Sequence, residues 1–208
     1  MADRDGFGPK DLEKAENVSR ETLKRIETVV AELDAWRTKI NLIGPSEFDQ
    51  VWRRHVWDSW QLFPHIPATG KIVDLGSGSG FPALILAAGF ASEESHMTMI
   101  ESVGKKCAFL RAAVQAASLQ ANVIQGRVEG VNPVHADCVT ARAFAPLPKL
   151  LDYAEPWLKA GAYGIFPKGR RWEEELTAAQ ESWRFAYEAI PSVTGDGAIL
   201  KISEVSRV

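Results

Sequence analysis

A chain of 208 residues, 46% hydrophobic and 25% charged, has the size and balance of one globular domain or of one domain with a small appendage. Its net charge of −3 excludes the bulk cationic character of a promiscuous nucleic-acid binder and leaves room only for a local basic face. The longest apolar stretch, Phe81 to Phe90, is about half of what a membrane span needs.

The N-terminus is polar, of mixed charge and without a secretory pattern, and its first ten residues are expected to fray. Cys107 and Cys138 match no zinc or redox spacing, so both are expected as reduced, buried thiols. His55, His65, His96 and His135 form no metal-spaced pair, and no metal site is expected.

From Ser19, the run Leu23, Ile26, Val29, Val30, Leu33, Trp36 recurs at three and four residues and predicts an amphipathic helix. Asn41 to Pro45 interrupts it. Ser46 with Asp49 reads as the cap of a second helix, which carries Phe48, Val51, Trp52, His55, Val56, Ser59 and Leu62 and stops by Pro64. On that helix His55 and Asp58 share a face and are expected to pair. Residues 1–66 are thus expected to be a helical extension packed on a core domain of residues 67–208.

After Gly70, short β-branched runs alternate with helical patterns. Strands are expected at Lys71–Leu75, Met97–Glu101, Asn122–Gln125, Cys138–Arg142 and Gly161–Phe166, with helices at Pro82–Ala88, Lys105–Ser118 and Pro148–Lys159. A helix after Arg171 leads to two further strand-like runs, Phe185–Ile190 and Ala198–Val205, with no helix between them. The pattern predicts an α/β, Rossmann-like fold: a mostly parallel seven-stranded sheet, helices on both faces, and a C-terminal antiparallel hairpin. That layout is more common among methyltransferases than among coenzyme dehydrogenases.

The run Val73-Asp74-Leu75-Gly76-Ser77-Gly78-Ser79-Gly80-Phe81-Pro82 passes from a strand into a loop with glycine at every second position and then into a helix. Such glycines permit positive φ and let a ligand approach bare backbone. A dinucleotide site prefers Gly-x-Gly-x-x-Gly. Here the spacing is Gly-x-Gly-x-Gly, and an acid stands two residues before the first glycine. That acid would repel a diphosphate and suits a ligand carrying ammonium and sulfonium groups. Glu101, at the end of the second strand, is placed to bind two ribose hydroxyls. Together these features favour S-adenosylmethionine over a nicotinamide dinucleotide.

Arg142 ends the fourth predicted strand, beside the first, and should face the cofactor pocket. A guanidinium stays protonated and cannot serve as a base. An arginine there suits an acceptor atom with no proton to lose, such as the N7 nitrogen of guanine. Lys168-Gly169-Arg170-Arg171 lies on the same rim, and Arg53-Arg54 and Lys105-Lys106 could add to a face that holds RNA phosphates.

Several ordered motifs resemble the ribosomal RNA small subunit methyltransferase G family, also called glucose-inhibited division protein B. They are Lys39-Ile40-Asn41-Leu42-Ile43, Arg54-His55-Val56-Trp57-Asp58-Ser59, Asp74 to Pro82, Glu101-Ser102-Val103-Gly104-Lys105-Lys106 with Phe109-Leu110, Arg142-Ala143-Phe144-Ala145-Pro146-Leu147, and Lys168-Gly169. The chain departs from the family pattern at Phe81, Ala83, Val128 and Phe166-Pro167. The resemblance implies transfer of a methyl group from S-adenosylmethionine to N7 of a guanine in bacterial 16S ribosomal RNA. It also implies a cytoplasmic enzyme, expected to be a monomer, that meets its RNA in the 30S subunit or an assembly intermediate. Carried over by residue, it places the cofactor at Gly76, Phe81, Val128, Glu129 and Arg142; the loop and second-strand readings add Gly78 and Glu101, and Arg54, His55, Lys168 and Arg170 are expected as RNA contacts. Two rival readings stay open: a small-molecule methyltransferase, and a non-catalytic module that binds S-adenosylmethionine.

Overall fold

A computed structural model describes residues 2–208. The N-terminal helices are α1 (Pro9–Glu16) and α2 (Arg20–Arg37). Ser19 caps α2, its hydroxyl accepting the Thr22 N–H at 3.1 Å, and the apolar stripe from Leu23 to Leu33 turns inward. Ile26, Val29 and Leu33 share one hydrophobic core with Leu84, Leu86 and Phe109.

The segment before α1 differs from the frayed end expected of it. Asp3 is buried, and its carboxylate accepts the backbone N–H groups of Trp52 at 2.9 Å and Arg53 at 2.8 Å. Phe7 stacks on Trp57 with 4.9 Å between ring centroids, and the Arg53 guanidinium lies 4.6 Å from the centre of the Phe7 ring. A carboxylate that caps a helix some fifty residues away in sequence leaves no local trace, so composition misreads this end as loose.

The second helix is also corrected. Gly44, not Ser46, precedes the short α3 (Pro45–Phe48), and Glu47 accepts the Gly44 N–H at 2.9 Å. The chain then runs as a π-helix over Trp52–Trp57 into one α turn, α4 (Asp58–Trp60). The wider π turn changes which side chains align, so His55 and Asp58 do not pair with each other as α spacing suggests.

Seven strands follow: β1 (Lys71–Leu75), β2 (His96–Glu101), β3 (Ala121–Gln125), β4 (Cys138–Thr140), β5 (Tyr163–Lys168), β6 (Trp183–Pro191) and β7 (Ala198–Arg207). They form one sheet in the order β3-β2-β1-β4-β5-β7-β6. The pairings among β1 to β5 are parallel, and β7 is antiparallel to both β5 and β6. Helices α5 (Ala83–Ala88), α6 (Gly104–Ala116), α7 (Leu147–Lys159) and α8 (Trp172–Gln180) complete the chain. Two apolar clusters result: α2, α5 and α6 contribute to one, and α7 and α8 to the other. Ile72 to Leu75 of β1 are all buried, as a central strand covered on both faces requires. The edge strand β6 instead exposes Arg184, Tyr187 and Glu188. This is the expected Rossmann-like architecture, and its strand order reverses between β1 and β4, where such folds bind ligands beyond the strands' carboxyl ends.

Candidate functional site

Beyond β1 the backbone at Gly76, Gly78 and Gly80 takes φ values of +67°, +54° and +85°. At Gly76 a Cβ would strike the Phe144 ring. At Gly78 its nearest heavy atom would be the Gly76 carbonyl oxygen at 3.6 Å, so that position is kept open rather than packed. The N–H groups of Gly76 and Ser77 donate to the Ile100 carbonyl at the end of β2. Glu101 holds the loop from below, its carboxylate accepting the Gly78 N–H at 2.9 Å and the Val103 N–H at 2.7 Å.

These residues wall a crevice of about 680 Å³. It brings together Gly76, Gly78, Phe81, Glu101, Val128, Glu129 and Arg142, the full set of expected cofactor residues, from four separate segments that end or follow β1, β2, β3 and β4. Val128 is buried in a 3₁₀ turn (Val128–Gly130) beyond β3, while Glu129 is exposed. Each carboxylate oxygen of Glu101 spends one lone pair on backbone and keeps another for a ligand hydroxyl. Apolar side chains of Ile100, Val103 and Val128 and the bare backbone of the glycine loop fit a ligand with a flat aromatic base.

Asp74 does not line the crevice. It lies under the loop, fully enclosed, where its Oδ1 accepts the Thr140 hydroxyl at 2.7 Å and its Oδ2 has no partner among the described residues. Burial raises its pKa to about 6, with Glu101 adding to the rise and the Ser77 and Thr140 hydroxyls opposing it. Its expected role beside the ligand's cations is therefore replaced by one of supporting the loop.

Arg142 stands two residues beyond β4, which ends at Thr140 rather than at Arg142 itself. Its Nη2 donates to the Arg54 carbonyl at 2.9 Å and faces His55 Nδ1 at 3.0 Å, and its Nε lies 3.3 Å from Asp58 Oδ2. An N–H donor facing Nδ1 assigns the imidazole proton to Nε2. Burial lowers the Arg142 pKa and the Asp58 charge opposes that, so the group remains a cation. His55 is buried and stacks on Phe81, with 5.0 Å between centroids. Burial, then the Arg142 charge, lowers its pKa to about 4. His55, expected among the RNA contacts, is neutral at neutral pH and supports Arg142 and Phe81.

Arg142 also borders a second cavity of about 660 Å³ on the side away from the glycine loop. The opposite wall is the β6–β7 loop, tied down by Gln61 and Asp58. Gln61 Nε2 donates to Asp58 Oδ1 at 2.9 Å, Gln61 Oε1 accepts the Val193 N–H at 2.9 Å, and the Thr194 hydroxyl donates to Asp58 Oδ1. Gln61 and Thr194 escape sequence reading because nothing local joins residues so far apart.

The basic run after β5 differs from the expected free rim. Lys168 has 9% side-chain exposure, and its ammonium donates to Glu175 and to the Ala145 carbonyl, both at 2.8 Å. Arg170 pairs with Asp196 at 3.0 Å and Arg171 with Glu174 at 2.9 Å. Lys168 is a structural strut between α8 and the Arg142 loop, and Arg170 has a carboxylate neutralising it. Arg54 is exposed and has no carboxylate partner among the described residues, as a phosphate contact requires.

A family model described as rRNA small subunit methyltransferase G matches residues 22–198. A protein of Hyphomonas neptunium named ribosomal RNA small subunit methyltransferase G is 66% identical over 194 residues, covering 93% of each chain. A protein of the same name from Paramagnetospirillum magneticum is 44% identical over 203 residues, covering 97% of this chain and 98% of its own. Among solved structures, an O-methyltransferase from Bacillus cereus in complex with SAH superposes with a TM-score of 0.61 at 14% identity, over 94% of this chain and 96% of that one. An SAH-bound methyltransferase of Podospora anserina gives 0.59 at 14% identity, over 89% and 96%. The structural likenesses share the fold, and the sequence likenesses extend through every loop of the crevice.

Proposed function

The chain belongs to the rRNA small subunit methyltransferase G family, and from that premise we propose that it methylates N7 of a guanine in bacterial 16S rRNA. S-adenosylmethionine, when bound, supplies an electrophilic methyl group on a sulfonium. Gly76 and Gly78 give its chain access to bare backbone, Glu101 takes the ribose hydroxyls, and Val128 with Glu129 borders the adenine. Phe81 and Arg142 close the acceptor side of the crevice.

The observation that carries the N7 assignment is the state of the groups around Arg142. The arginine cannot accept a proton. His55 has a pKa of about 4, and the Asp58 carboxylate is already engaged by Arg142, Gln61 and Thr194. A site built this way suits a nucleophile with a free lone pair, such as N7, and works by holding that lone pair in line with the methyl–sulfur bond. An exocyclic amine or a hydroxyl would need a base. The open mouth of the crevice and the exposed Arg54 favour a large polyanion over a small metabolite. The RNA is met within the 30S subunit or an assembly intermediate, in the cytoplasm, by a monomer.

The test is methyl transfer from labelled S-adenosylmethionine to 30S subunits, deproteinised 16S rRNA and a metabolite pool, with the product nucleoside identified by mass spectrometry. N7-methylguanosine in the small-subunit RNA is the expected product. Methylation of a metabolite, or of another atom of the RNA, defeats the assignment. Single-turnover rates on 30S subunits should show no ionising base between about pH 6 and 9. A tenfold rise per pH unit that vanishes in Asp58→Asn would reinstate a general base.

A further inference from the structure

Besides the arginines that line the crevice itself, two further sets of cations lie near it. Those after β5 are paired: Lys168 with Glu175, Arg170 with Asp196 and Arg171 with Glu174. On the opposite lip, Lys39, Lys105 and Lys106 have no carboxylate partner among the described residues. Lys39 follows α2 and the other two open α6, so the tertiary fold alone brings them together.

They line a cleft of about 330 Å³ with Ile40, Asn41 and Val103, and no acidic side chain among the described residues contributes to its wall. Val103, a large apolar residue at 46% exposure, and Lys106 belong to this cleft and to the cofactor crevice alike, so the two openings adjoin. In a chain with a net charge of −3, three unneutralised ammonium groups around a concave, partly apolar floor form a localised anion site. The α6 dipole adds positive potential at the same place.

We propose that this cleft docks the RNA strand beside the acceptor guanine, with Lys39, Lys105 and Lys106 holding backbone phosphate and Ile40 receiving an adjoining base or sugar. The inference rests on RNA as the substrate. S-adenosylmethionine offers one carboxylate and no phosphate, too little anionic charge to occupy three lysines, and unchanged cofactor binding in the lysine variant below separates the two uses of the cleft. Lysines act here as point charges that position the strand without reading its sequence, while the base to be methylated is selected elsewhere.

The test compares Lys39→Ala/Lys105→Ala with Arg170→Ala/Arg171→Ala, both pairs being exposed positions where truncation leaves the core intact. Binding to 30S subunits and to a single-stranded 16S fragment is measured by anisotropy over a range of salt, and S-adenosylhomocysteine binding by calorimetry. Losing the two lysines should reduce the slope of log K against log salt by about 1.4, roughly 0.7 per phosphate contact on a single strand. Affinity should fall at least tenfold at low salt, with cofactor binding unchanged, and the arginine pair should keep the wild-type slope. An unlabelled oligoribonucleotide should compete for the cleft, and inorganic phosphate at equal ionic strength should not. Equal slopes for wild type and the lysine variant, or full competition by inorganic phosphate, overturns the inference alone. A wild-type protein that binds neither 30S subunits nor 16S rRNA overturns the RNA reading beneath it.

Discussion

Replacing Asp74 with asparagine should make the folded protein acid-sensitive in a window where the wild type is nearly indifferent. Two buried groups titrate there with opposite sign. His55 falls from an ordinary value of 6.5 to about 4, so between those limits the unfolded chain binds a proton that the native one refuses. Its contribution is present above pH 6.5 and is lost as pH falls toward 4. Asp74 rises from 3.8 to about 6, so the native chain keeps a proton that the unfolded one releases. Its contribution is present below pH 3.8 and is lost as pH rises toward 6. At about 1.4 kcal/mol per pKa unit, each group is worth about 3 kcal/mol across its window, and between pH 4 and 6 the two nearly cancel. Asparagine keeps an oxygen for the Thr140 hydroxyl and puts an amide where Asp74 Oδ2 has no partner, so the fold is retained while one titration is removed. Urea unfolding at constant ionic strength should then show Asp74→Asn losing about 3 kcal/mol relative to wild type between pH 6 and 4, on top of any constant offset. Other groups titrate alike in both proteins and drop out of the difference. Parallel stability curves would refute the burial argument for Asp74.

Further expectations concern the crevice and its scaffold. Gly78→Ala meets no protein atom closer than ordinary contact but strains a left-handed backbone by roughly 1–2 kcal/mol. It should lose affinity for S-adenosylhomocysteine by calorimetry, and wild-type affinity would remove the glycine loop from the site. Glu101→Ala should weaken the same ligand by about 1.5–3 kcal/mol, the range for charged hydrogen bonds. An unchanged dissociation constant would leave Glu101 with only the Gly78 and Val103 amides to hold. Asp3→Ala strands one buried and one partly buried N–H group and should cost about 1–3 kcal/mol in urea unfolding, and an effect below about 0.5 kcal/mol would return the N-terminal segment to a loose end.

Sequence alone determines the α/β class and the place of the crevice, because both are written in local patterns. Within Lys71–Leu75 the run Ile72 to Leu75 is apolar or buried without a break, and the alternating glycines after it need positive φ whatever surrounds them. Glu101 and Val128 with Glu129 follow, because each ends or succeeds a strand parallel to β1 and so points to the same edge. What only the tertiary structure decides are the charge states and partnerships of those residues. The repeat of apolar positions around His55 and Asp58 reads as an ordinary helix, yet Asp3, Gln61 and the π turn reorganise it through contacts from distant parts of the chain. The run Lys168 to Arg171 reads as a free basic patch, but whether a lysine meets phosphate or Glu175 depends on where α8 comes to rest. Charge interacts through space and desolvation depends on what surrounds a group, so a linear pattern can name the ionisable residues without saying which of them keep their charge available.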